Sequence, residues 1–202
     1  FTLTYDALTS EWPQELQGGA DLNGDGIDDF IVYWDEFGPE MRGAFDIVYG
    51  SEDPFPADLL HTVPSSAFQR VEPSNSPGWL DGFGRNISLG DFNADGVSDI
   101  LFSAGTTDTG PGGSSVQNAG AGVILFGGAA GFPSEITPST LDGDAGVFLT
   151  QPVPGAFMGA DAAFAGDVDG DGVEDVLISG GDLNGATDKV YLVFGRSGEM
   201  PG

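Results

Sequence analysis

Three stretches of the chain repeat one acidic pattern. Asp21-Leu22-Asn23-Gly24-Asp25-Gly26-Ile27-Asp28-Asp29, Asp91-Phe92-Asn93-Ala94-Asp95-Gly96-Val97-Ser98-Asp99 and Asp167-Val168-Asp169-Gly170-Asp171-Gly172-Val173-Glu174-Asp175 all place oxygen side chains at positions 1, 3, 5 and 9. Those oxygens converge on one point when the loop curls tightly. Gly at position 6 permits the turn, and the position 7 carbonyl is expected to face inward. An all-oxygen donor set of this size suits Ca²⁺ better than Mg²⁺, and zinc would want nitrogen or sulfur. The expected ligands of the first site are Asp21, Asn23, Asp25, the Ile27 carbonyl and Asp29. Those of the second are Asp91, Asn93, Asp95, the Val97 carbonyl and Asp99. Those of the third are Asp167, Asp169, Asp171, the Val173 carbonyl and Asp175. Asp-Gly and Asn-Gly also make plain hairpin turns, but three copies in one structural slot weigh against turns alone. An EF-hand would need Glu at position 12, where this chain has Val32, Phe102 and Ile178.

Elsewhere the chain offers little chemistry. In 202 residues there are 32 acidic and 5 basic side chains, one His and no Cys, for a formal charge of -27. Such a charge repels phosphate backbones, so no nucleic acid is expected as a partner. No apolar run approaches the roughly 20 residues of a membrane span. Without Cys there is no disulfide, no thiolate zinc site and no thiol nucleophile. His61 stands beside Leu60 and Thr62 with no constellation around it. Paired carboxylates can hydrolyse glycosides, but nearly every clustered pair here belongs to the three loops. The expected protein is not an enzyme.

The loops sit inside a larger repeat. Each is followed by a short apolar run, Phe30 to Trp34, Ile100 to Phe102 or Val176 to Ile178. A second run then ends in Gly50, Gly127 or Gly195, and a Pro follows six residues later at Pro56, Pro133 or Pro201. The runs are short, β-branched or aromatic, and bounded by Gly and Asp, which predicts strands. No window shows a capped helical period. Each unit therefore reads strand, acidic loop, strand, variable loop, strand, with an outer strand such as Val147 to Thr150. The expected fold is all-β: three propeller blades of four short antiparallel strands, part or half of a propeller. They form one repeat domain over 1–202, with approximate repeats 1–54, 55–131 and 132–202, each holding one calcium loop. Extra length in the second unit falls in 106–120, a loop by composition.

Phe83-Gly84 ahead of Gly90-Asp91-Phe92-Asn93-Ala94-Asp95-Gly96-Val97-Ser98-Asp99, then a strand, then Val123-Ile124-Leu125-Phe126-Gly127, resembles an FG-GAP repeat. That family builds the β-propellers of integrin α subunits and of many bacterial secreted or surface proteins. The resemblance implies Ca²⁺ in the hairpin between the first two strands of each blade, often serving adhesion or recognition. Gln17-Gly18-Gly19 and Met158-Gly159 depart from Phe-Gly in the other copies. A propeller has typically four to eight blades. The partner expected is therefore a protein, a second copy closing a six-bladed ring as a homodimer, or further blades of a longer chain. The function expected is a calcium-binding, non-catalytic recognition, adhesion or assembly module of a secreted or cell-surface protein, located outside the cell, in the periplasm or at the surface. A lectin-like propeller binding glycans is the alternative, with Trp12, Trp34 or Trp79 as stacking platforms. A carboxylate-based glycan-active enzyme stands behind both.

Overall fold

The computed structural model describes residues 2–4, 13–34, 43–55, 58–60, 67–74, 83–110, 114–137, 140–141, 143–151, 153–181 and 188–198. Among them the chain is all-β, with no helix. None therefore is long and apolar enough to cross a membrane. In chain order the strands are β1 (Thr2–Thr4), β2 (Glu15–Ala20), β3 (Asp29–Trp34), β4 (Ala44–Val48), β5 (Asp58–Leu60), β6 (Phe68–Pro73), β7 (Arg85–Gly90) and β8 (Asp99–Ala104). They continue with β9 (Thr109–Gly110), β10 (Ser114–Ser115), β11 (Ala121–Leu125), β12 (Glu135–Ile136), β13 (Gly146–Thr150), β14 (Ala162–Gly166), β15 (Asp175–Gly180) and β16 (Lys189–Val193).

Three sheets carry the architecture. The first runs β12-β6-β4-β3-β2, the second β13-β11-β8-β7, and the third β14-β15-β16. All their pairings are antiparallel except the short parallel contact of β12 with β6. Each acidic loop joins the first two strands of a sheet: β2 to β3, β7 to β8, and β14 to β15. The register slips by one residue in the first strand each time, between Gly18 and Ala20, Arg85 and Ile87, and Phe164 and Gly166. A bulge of this kind bends the strand and raises its twist. Two further small pairs, β1 with β5 and β9 with β10, lie outside these sheets.

Alternation along the strands gives each sheet two apolar faces, and stacking buries those that meet between neighbouring sheets. One cluster lies between the first and second sheets, where Ile31, Tyr33 and Ile47 meet Ile100, Phe102 and Val123. The rings of Phe45, Phe83 and Phe102 gather there with centroids 4.6 to 5.0 Å apart. Gly84 must be glycine at this point: its φ is +81°, and a Cβ would fall 2.2 Å from the Tyr33 ring. The second cluster lies between the second and third sheets, where Leu101 and Ile124 meet Val176 and Ile178. In the first sheet the buried Asp46 binds Arg70 through two 2.6 Å contacts and accepts a 2.9 Å bond from the Trp34 indole. A buried charge held by both partners in this way is satisfied.

Candidate metal centre in the acidic loops

The three loops share one hydrogen-bond scaffold. At position 1, Asp21 accepts from the amides of Gly24 (2.7 Å), Asp25 (3.2 Å) and Gly26 (2.7 Å). Asp91 accepts from Asp95 (3.2 Å) and Gly96 (2.9 Å). Asp167 accepts from Gly170 (2.7 Å), Asp171 (3.0 Å) and Gly172 (2.9 Å). Asn23, Asn93 and Asp169 each accept from the amide two residues on. Asp25, Asp95 and Asp171 do the same toward Ile27, Val97 and Val173. Positions 4 and 6 lie in the left-handed region, at φ 78° and 85° for Gly24 and Gly26 and 82° and 91° for Gly170 and Gly172. The loops are therefore wound around the first carboxylate, which draws in the amides that would otherwise point to solvent.

Position 9 has a second task that the spacing alone did not announce. Asp29, Asp99 and Asp175 are buried. One oxygen of each accepts a 2.8 Å bond from the position 2 amide, of Leu22, Phe92 or Val168. The other accepts from Gly50 (2.7 Å), Gly127 (3.0 Å) or Gly195 (3.0 Å), just beyond the third strand. Each carboxylate thus ties its loop to the far end of its sheet. A carboxylate has roughly four lone-pair directions, so two amide bonds leave it able to ligate an ion as well. Burial raises the pKa of Asp29 above its usual value, against the pull of the Gly50 and Leu22 amides. For Asp99 burial pushes it up to about 7, opposed by the amides of Gly127 and Phe92 and assisted by the charges of Asp95 and Asp91.

The loops differ at position 3. Asn23 and Asn93 donate from Nδ2 to Asp25 and Asp95 at 3.0 Å, which partly offsets the negative charge beside them. Asp169 has no such donor. Among the described residues, Asp167, Asp169 and Asp175 form the group whose carboxylate oxygens lie within 4.8 Å of one another, an arrangement able to hold a metal ion. Asp171, at position 5, is not one of these three, and among the described residues the first two loops, with Asn23 and Asn93 in the place of Asp169, form no such carboxylate group. The donor atoms are oxygens throughout, as a hard cation requires.

The loops also touch their neighbours. The Asp21 carbonyl accepts from Ser98 (2.9 Å) and the Leu22 carbonyl from Gly128 (3.0 Å), while the Phe92 carbonyl accepts from Arg196 (3.1 Å). Glu174, at position 8 of the third loop, accepts from the Asp91 amide at 2.9 Å. Position 8 is not a ligand position in the pattern, so sequence reasoning had no reason to single it out. Trp34 is buried and bonded to Asp46, so it presents no face to a sugar. Trp12, Trp79 and His61 lie outside the described residues, as do 35–42 and 182–187 of the variable loops. No family model matches the chain, and a search of curated proteins finds no match.

Proposed function

We propose that the three sheets are blades of an FG-GAP-type β-propeller and that each acidic loop holds one Ca²⁺. The ion staples the inner hairpin of its blade, in a non-catalytic recognition or assembly module of a secreted or cell-surface protein. The ligands are Asp21, Asn23, Asp25, the Ile27 carbonyl and Asp29, with their counterparts at 91–99 and 167–175. The observation that carries this reading is the threefold recurrence of one scaffold. In each copy the first carboxylate organises the loop, and the ninth is anchored in the same two amides. Three carboxylates within 4.8 Å in the third loop add to it. Repulsion among such groups is a cost that a divalent cation relieves.

Calorimetric titration of Ca²⁺ into chelator-stripped protein tests the reading. Three ions per chain are expected, with one lost in each of Asp21→Ala, Asp91→Ala and Asp167→Ala. No binding at millimolar Ca²⁺ overturns it.

A further inference from the structure

The third sheet leaves one face bare, and the other two sheets show what such a face is for. Aligning the loops on their first Asp makes Val168 the counterpart of Leu22 and Phe92. The strand register makes Leu177 the counterpart of Ile31 and Leu101, and Leu192 that of Ile47 and Ile124. All six counterparts are buried. Leu101 and Ile124 lie in the cluster against the third sheet, and Leu22, Ile31 and Ile47 in the cluster against the second. In the third sheet the same positions are open: Val168 is 54% exposed, Leu177 40% and Leu192 36%. Phe194, the counterpart of Phe126, is 53% exposed. Val176 and Ile178, on the opposite face, are buried against the second sheet. The pattern is therefore not that of a solvated face; apolar side chains alternate to both sides of the strand.

The polar contacts point the same way. The carbonyls of Leu22 and Phe92 are taken by Gly128 and Arg196 of the following sheet. Among the described residues no backbone amide of this kind reaches the equivalent carbonyl of Val168.

We infer that this face, centred on Leu177 and Leu192, is the docking surface for a further sheet of the same repeat. That sheet would present apolar side chains as Ile100 and Phe102 do toward the first sheet, and an amide as Gly128 does toward Leu22. The interface continues one already formed twice in this molecule. A second copy of this chain is the rival occupant, and the dimer outcome below distinguishes it. The inference deepens the assembly reading by naming the partner's construction, and it does not depend on whether the loops bind calcium.

The chain has no Cys, so Leu177→Cys supplies a single thiol. Leu177 lies on the central strand of its sheet, where an added edge strand cannot hide it and only a layer on the face can. The thiol is expected to label readily in the 202-residue chain. In a chain lengthened by a second copy of residues 51–150, joined after Gly195 as the counterpart of Gly50, labelling should slow by about tenfold or more. Leu16→Cys, on the first sheet, should label equally in both. Unchanged labelling of Leu177→Cys, with the appended strands formed by circular dichroism, overturns the inference. So does a dimer of the 202-residue chain, seen by light scattering, that protects Leu177→Cys, with or without Leu16→Cys, because the occupant is then a second copy. A second measurement needs no lengthened chain. Leu192→Ser and Phe194→Ser should leave the melting temperature of the 202-residue chain unchanged, whereas Ile124→Ser lowers it. A loss from Leu192→Ser equal to that from Ile124→Ser shows that the face is already used, and overturns the inference. Slow labelling in both calcium and chelator supports the face even where calcium titration fails.

Discussion

Ala94 holds φ 57° where the first and third loops have glycine, Gly24 at 78° and Gly170 at 82°. A residue with a Cβ loses about 1–2 kcal/mol in this region, and glycine returns part of that through its greater freedom in the unfolded chain. Ala94→Gly should therefore raise stability by about 0.5 kcal/mol, net of the two effects. At Gly96, where φ is 87°, a Cβ would meet nothing within 4 Å, so Gly96→Ala should lower stability by a similar amount for conformational reasons alone. Denaturant midpoints of the two variants check both signs. Asp99 makes a separate prediction about pH. Its pKa rises from 3.8 to about 7 in the folded protein, because burial disfavours the charge more than the Gly127 and Phe92 amides favour it. The calcium-free folded state thus binds this proton more tightly than the unfolded state. The contribution is present in full below pH 3.8 and is lost as pH rises through about 7. Between those limits calcium-free protein should lose stability with pH, and Asp99→Asn should flatten the slope. A slope identical in protein and variant refutes the assignment to Asp99.

Gly50, Gly127 and Gly195 close each sheet against its own acidic loop. A Cβ at Gly127 would lie 2.2 Å from the Ser98 carbonyl and 2.9 Å from that of Leu22; at Gly195 it would lie 2.2 Å from the Glu174 carbonyl. These neighbours are backbone, which cannot swing aside. Gly127→Ala should cost about 2 kcal/mol or more through overpacking and the loss of the Asp99 anchor, read as a lower denaturant midpoint with an unchanged slope. The recurrence of this glycine after each loop was legible in the sequence, and so was the all-β character. Phe30 to Trp34 and Ile100 to Phe102 fall inside β3 and β8, and Val147 to Thr150 inside β13, because alternation and flanking Gly and Asp are local signals. Partnering is not local. Nothing in Gly146–Thr150 announces that it pairs with β11, or in Glu135–Ile136 that it pairs with β6 in parallel. The run 106–120, a loop by composition, contains the small β9–β10 pair. Within the loops, residue types gave the expected ligand positions, but the buried anchoring role of Asp29, Asp99 and Asp175 depends on Gly50, Gly127 and Gly195, 20 or more residues downstream.

The whole chain carries -27, and three Ca²⁺ would bring this to -21. Calcium-free, the loops concentrate like charges that the folded state must hold close and the unfolded chain can separate, so binding of the proposed ions would be linked to folding. An ion that binds only the folded protein stabilises it by roughly 2.7 kcal/mol per site at a hundred times its dissociation constant. The loops do not stand alone, since the Asp21 carbonyl binds Ser98 and Glu174 binds the Asp91 amide. Loss of one ion should therefore weaken more than its own sheet, as expected when repeats are stabilised by their neighbours. The melting temperature should climb with calcium concentration and fall on addition of EDTA, and Asp91→Ala in the middle loop should lower it with calcium present. General screening by salt is the competing cause, because any cation softens repulsion within a Debye length of about 8 Å at physiological ionic strength. Mg²⁺ separates the two, since it carries the same charge but demands a tighter octahedron and gives up its waters reluctantly. If ligation stabilises the molecule, Ca²⁺ raises the midpoint well above Mg²⁺ at equal concentration; if screening does, the two ions raise it alike and the loops are turns rather than sites.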